Sequence, residues 1–291
     1  MISNSDGDVK TMKRDVASAQ IGRALAVLFM ALGLYSCQKV VSVDLNQSSP
    51  QIVIQGQVSD QGGLDSVIIN MTGDYFTPSI SFPPVTGATV VISDDAGEVD
   101  TLKEIGSGKY YSPNPKGIPG TTYAMTVLAN GKEYNAVSQM PQRVKIDSFY
   151  ATSGESPFGR RTFYNFTVKF KDPPELGNYY RIVPHADFIP ADSLFGDNGG
   201  IFLYDDEYTS GNEVTFQFRL GGTLSRGDTI GVDLLCIDHA TYEYFRTLRT
   251  TIQTDRSPTS LAPANPTSNI NNGALGYFSA YTIDSRKTVL K

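Results

Sequence analysis

The sequence predicts a mainly β protein of two β-sandwich domains, the second carrying one α-helix. Short runs rich in β-branched and aromatic residues recur down the chain, separated by clusters of Gly, Pro, Asn and Asp. Two runs alternate strictly. Tyr164, Phe166, Val168 and Phe170 share one face against Asn165, Thr167 and Lys169, and Val214, Phe216, Phe218 and Leu220 repeat the pattern. Such alternation places one face on a core and the other in water. A 3.6-residue period follows Asp238 and marks the helix.

The N-terminal stretch obeys a different logic. Lys13, Arg14 and Arg23 precede an uncharged apolar run from Ala24 to Leu34, and Leu34-Tyr35-Ser36-Cys37 follows. A basic segment, then an apolar one too short to span a bilayer comfortably, describes a secretory signal. Its end resembles a lipobox, with a branched apolar residue three before the cysteine and a small one just before it; Tyr35 is larger than the usual residue there. We read 1–36 as a signal peptide, with 1–11 an upstream mis-start ahead of Met12-Lys13-Arg14. Cys37 is then the lipidated residue, heading a tether over 37–50. One acyl chain binds membranes marginally, whereas two or three anchor stably.

The 51–141 region reads as the first sandwich. Ile52–Val58 is β-branched, and Gly56 within it predicts a bulge or bend. Val67–Met71, Thr89–Ile92, Val99–Lys103, Tyr123–Leu128 and Glu133–Val137 follow as strands. Asp94-Asp95-Ala96-Gly97 reads as a turn, and Asn130-Gly131 is a strong hairpin signal.

The 142–291 region reads as the second sandwich, with the two alternating strands joined by Tyr179–Val183 and Thr229–Ile237. Asp238 is placed to cap a helix whose Thr241, Phe245, Leu248 and Ile252 fall on one face. Glu243 early and Arg246 and Arg249 late follow the order the helix dipole favours. A glycine-containing final strand is expected over Leu275–Tyr281.

These stretches resemble a known family. Cys37-Gln38-Lys39-Val40 with Val43-Asp44-Leu45, Ile52–Gly56, Pro83–Val90 and the closing Asn269–Phe278 are similar, in order and spacing, to lipoproteins of Bacteroidetes-type bacteria grouped as domain of unknown function 4249. The first domain also resembles the immunoglobulin-like, transthyretin-type sandwich through Gly87–Val90, Gly108-Lys109-Tyr110 and Gly120 followed by Tyr123. The resemblance implies an outer-membrane location and a partner among the TonB-dependent transporters. It implies no reaction and no cofactor.

Composition and motifs narrow the function classes. Hydrophobic residues make up 40% and charged residues 19% of the 291, as in a globular body with real cores. The net charge is −6 with no Lys/Arg cluster beyond the leader, which argues against nucleic acid. There are two histidines, His185 and His239, with no His-Glu-x-x-His, Cys-x-x-Cys or Gly-x-Ser-x-Gly, so neither a metal nor a catalytic residue is assigned. Cys236 lies in the apolar run Val232–Ile237 and reads as a buried thiol. Asp205-Asp206-Glu207 reads as a solvated loop and Arg226-Gly227-Asp228 as a turn. Tyr75, Phe76 and Phe82, in a loop of turn formers, are the candidate rim for a partner or ligand. The expectation is a non-enzymatic lipoprotein anchored through Cys37, accessory to a transporter or engaged in surface ligand capture. The alternatives are a structural or adhesive surface protein and, behind it, a carboxylate-dependent hydrolase.

Overall fold

Backbone donors and acceptors in a β-rich chain are satisfied across neighbouring strands, so strand pairing decides the architecture. The computed structural model describes residues 50–62, 65–73, 82–112, 117–155, 162–186, 200–221, 223–255 and 264–291. Ser49–Lys291 gathers into one unit. The first half supplies β1 (Ile52–Ser59), β2 (Ser66–Met71), β3 (Thr89–Asp94), β4 (Val99–Thr101), β5 (Lys103–Gly106), β6 (Lys109–Tyr111), β7 (Thr122–Ala129) and β8 (Lys132–Gln139). The second supplies β9 (Ile146–Glu155), β10 (Thr162–Lys171), β11 (Tyr179–His185), β12 (Phe202–Asp205), β13 (Glu213–Arg219), β14 (Thr229–Ile237), α1 (His239–Asp255) and β15 (Leu275–Val289). The fold is mainly β with one helix among the described residues, as the sequence pattern predicts.

The strands form an eight-stranded sheet, β12-β11-β14-β15-β1-β2-β6-β5, a four-stranded sheet, β4-β3-β7-β8, and a three-stranded sheet, β13-β10-β9. Two cores lie between them. Ile54, Val67 and Ile69 of the large sheet meet Val90, Met125 and Val127 of the four-stranded one. Ile182, Val232 and Leu234 of the large sheet meet Phe166, Val168 and Phe170 of the three-stranded one. One sheet therefore serves as a layer of both sandwiches. Helix α1 covers its other face, where Tyr244 and Phe245 pack on Leu235, Ile237, Tyr281 and Ile283. With partners on both faces, β14 is apolar nearly throughout, which is why Thr229–Ile237 shows no alternation.

Strand β15 joins the halves. Val53 to Ser59 of β1 pair in parallel with Leu275 to Tyr281, and Cys236 to Thr229 of β14 pair antiparallel with Thr282 to Val289. The sequence pattern ends this strand at Tyr281. The continuation is mostly polar and exposed after Ile283, so it carries no apolar signal, but β14 offers it a ladder. At the changeover the buried Asp60 accepts the Ile283 N–H at 3.1 Å and ion-pairs with Arg143. Ile270, Ala274, Phe278 and Ala280, far beyond residue 141 in sequence, belong to the first core.

Two glycines are dictated by close approach. Gly56 makes no bulge, because β1 runs in unbroken register with both neighbours; a Cβ there would stand 2.7 Å from Met125 Sδ and 2.9 Å from Phe278. Gly276 has φ +99, and its Cβ would stand 1.9 Å from the Ile54 carbonyl oxygen, so no other residue fits where β15 approaches β1. The Asn130-Gly131 hairpin forms as predicted, with φ of 51 and 70.

Asp238 caps α1 by accepting the Thr241 N–H at 2.8 Å. The expected dipole support is absent. The first turn holds no acid and the last no base, and Glu243 instead binds Arg246 through two hydrogen bonds, at 2.8 and 2.6 Å. Arg181 crosses under the helix with its guanidinium 3.9 Å from the Phe245 ring centre.

Candidate functional site

The end of β1, the approach to β2 and the β3–β4 hairpin line an open cavity of about 460 Å³, together with Gly117, Ile118 and the start of β7. Its carboxylates are Asp65, Asp94, Glu98 and Asp100, and no basic side chain lines it among the described residues. Val58, Ile92, Val99, Ile118 and the ring of Tyr123 supply an apolar wall.

Each acid is placed by local backbone needs. Asp94 opens the β3–β4 turn, and its Oδ1 accepts the N–H groups of Ala96 at 3.0 Å and Glu98 at 2.9 Å. Asp95 turns away and accepts the Thr122 N–H at 3.1 Å. Asp100 is held by the Ser112 hydroxyl. Asp65 is fully buried, with Oδ1 accepting the Ser59 N–H at 2.7 Å. Its Oδ2 has no hydrogen-bond partner. Burial pushes the Asp65 carboxyl up to about 7; the Ser59 N–H pulls the other way, and the negative Asp100 adds to the rise. Tyr123 fixes the opposite side, its hydroxyl accepting the Ile118 N–H at 2.8 Å.

The other sequence-derived candidates fall elsewhere. Cys37, Tyr75 and Phe76 lie outside the described residues. Phe82 is exposed, packs against Gly73 and does not line the cavity. His185 covers Gly231 with Nδ1 3.5 Å from Asp233, and the His239 ring sits 5.1 Å from that of Tyr179. Cys236 is buried, accepts the Val144 N–H at 3.3 Å, and has its thiol pushed up to about 11 by burial. Among the described residues, no cluster of three or more His, Cys, Asp or Glu side chains is arranged to hold a metal ion. Arg226-Gly227 forms the expected turn, closed by Ser225 and Asp228.

The acidic run at Asp205 departs from its expected role as a solvated loop. Asp206 is buried and accepts the N–H groups of Gly177 at 3.1 Å and Asn178 at 3.0 Å, plus the Asn178 side chain at 3.0 Å. Asp205 accepts the Tyr242 hydroxyl at 2.5 Å, tying β12 to α1. Glu207 remains exposed.

Sequence reasoning missed Asp65 as a site residue. Asp65-Ser66-Val67 reads in sequence only as a short tripeptide like an O-glycosylation acceptor ahead of the Val67–Met71 strand, and the partners that make Asp65 unusual lie on other segments. The family model described as Domain of unknown function (DUF4249) matches residues 38–287. The chain belongs to this family. A comparison with curated proteins finds no match. The DUF4249 match takes in both sandwiches and the helix, and it begins at the residue after Cys37.

Proposed function

We propose that this protein is a non-enzymatic lipoprotein of the outer membrane, tethered through acyl chains on Cys37, which captures a small ligand for a neighbouring TonB-dependent transporter. The observation that carries the capture reading is the cavity of about 460 Å³, lined by both carboxylates and apolar side chains, with the buried Asp65 among them. The anchor reading rests on the basic and apolar leader ending in Leu34-Tyr35-Ser36-Cys37, and a family body that begins at Gln38 supports it. No helix among the described residues is long and apolar enough to cross a membrane, which leaves strand-built barrels and lipid anchors untouched.

One observation favours a hydrolase instead: Asp65 and Asp100 are neighbouring carboxyls, and Asp65 titrates near neutrality. Burial weighs against it. A general acid must come within about 3 Å of the atom it protonates, and Asp65 exposes no surface.

The test is fractionation and mild-detergent capture of the native protein beside Cys37→Ser. The native protein is expected in the outer-membrane fraction with a β-barrel partner, and the variant in the soluble fraction. A variant that stays equally membrane-bound overturns the anchor. Repeated captures without a barrel, with loss of cell attachment on deletion, replace transport with adhesion.

A further inference from the structure

We infer that the cavity binds a small organic cation, an ammonium or guanidinium ion carrying an apolar body. This deepens the ligand-capture reading and rests on it. The wall joins four carboxyl groups to Val58, Ile92, Val99, Ile118 and Tyr123, without one lysine, arginine or histidine among the described lining residues. Carboxylates and apolar side chains in one lining match a molecule with a cationic head and a hydrophobic remainder.

The second and independent observation is Asp65. A buried carboxyl oxygen without a donor is costly, and natural structures leave few of them. Oδ2 of Asp65 is such an atom, buried behind the surface of a residue that lines this cavity, while its other oxygen and both neighbouring acids already serve the fold. A cation seated against Asp94, Glu98 and Asp100 would compensate the charge behind them. An inorganic divalent ion fits less well, because the acids do not gather into a metal-holding group among the described residues.

Proton linkage follows. Near neutral pH Asp65 is partly protonated, and a cation in the cavity favours its ionised form. The other titratable groups facing Asp65 are Asp100 and the phenols of Tyr123 and Tyr281; burial pushes both phenols up, Tyr281 to about 12, so they stay neutral. Cation binding is thus expected to release protons at pH 7 and to tighten by up to about tenfold from pH 6 to pH 8.

The experiment is calorimetric titration of the full-length protein in detergent with phenethylamine, benzamidine and agmatine, in two buffers of different ionisation enthalpy. The neutral 2-phenylethanol is the control. At least one cation should bind with proton release, the neutral analogue should not, and Asp65→Asn and Asp100→Asn should each weaken binding tenfold or more. Glu98→Gln, on the exposed rim, removes charge without touching the fold and should weaken binding severalfold. Failure of all three cations, equal binding of 2-phenylethanol, or unchanged affinity in Glu98→Gln and a folded Asp65→Asn overturns the inference. Because this measurement needs neither membrane nor partner, its failure is separable from failure of the Cys37 experiment.

Discussion

The Ser138 hydroxyl donates to Asp238 Oδ2 at 2.7 Å and accepts the Ala280 N–H at 2.8 Å, while Oδ1 of the same Asp238 caps α1. One carboxylate thus starts the helix of the second sandwich and holds β8 of the first, through a serine that is itself buried. Ser138→Ala strands the Ala280 N–H and is expected to cost about 1–3 kcal/mol. Asp238→Ala is expected to cost about 1–2 kcal/mol through the cap. The double variant should lose less than the two together, since both remove one shared bond. Urea denaturation of all four proteins is the check, and strict additivity would contradict the coupling.

Asp65 makes stability depend on pH in a defined direction. The unfolded chain ionises this carboxyl near 3.8, whereas the folded chain holds the proton until about 7. Between those values the folded state binds more protons, so stability falls as pH rises from about 4 to 7, and the loss is complete above 7. Asp65→Asn carries no charge, and its amide oxygen can still accept the Ser59 N–H. The variant is expected to melt higher than the native protein at pH 8, with the gap narrowing toward pH 4. A constant gap across that range would show that charge is not the cause.

Asp206 is expected to behave as an internal strut. Asp206→Asn sets an amide against three donors now satisfied by an anion and should cost about 2 kcal/mol. Glu207→Gln, one residue on and exposed, should shift stability by less than about 0.5 kcal/mol. Thermal melts of the pair distinguish a strut from the solvated loop that the sequence implies.

The β class was legible because alternation at Tyr164–Phe170 and Val214–Leu220 is a local property of a strand, although Thr167, expected on the wet face, is buried. The Asn130-Gly131 turn and the Asp238 cap were legible for the same reason, each being settled within a few residues. The shared sheet was not. The parallel pairing of β1 with β15 leaves no mark in either segment beyond Gly276, whose necessity lies in the distant Ile54 carbonyl. The cavity was hidden likewise, since its acids come from separate segments and only the fold sets Asp65 beside Asp100. The acids of the 205–207 run looked alike in sequence, yet Asp206 has donors in a loop some thirty residues earlier and Glu207 is exposed, bonded only to its neighbour Tyr208 among the described contacts of its carboxylate.

The place of β15 between β1 and β14 also sets the order of assembly. Val53 waits for Leu275, so the central sheet of this protein cannot close until almost the whole sequence up to Val289 has been made. Pairings so distant along the polymer form late and slowly. A nascent chain built this way keeps the edge of β1 and the edge of β14 unpaired until its final strand is in hand.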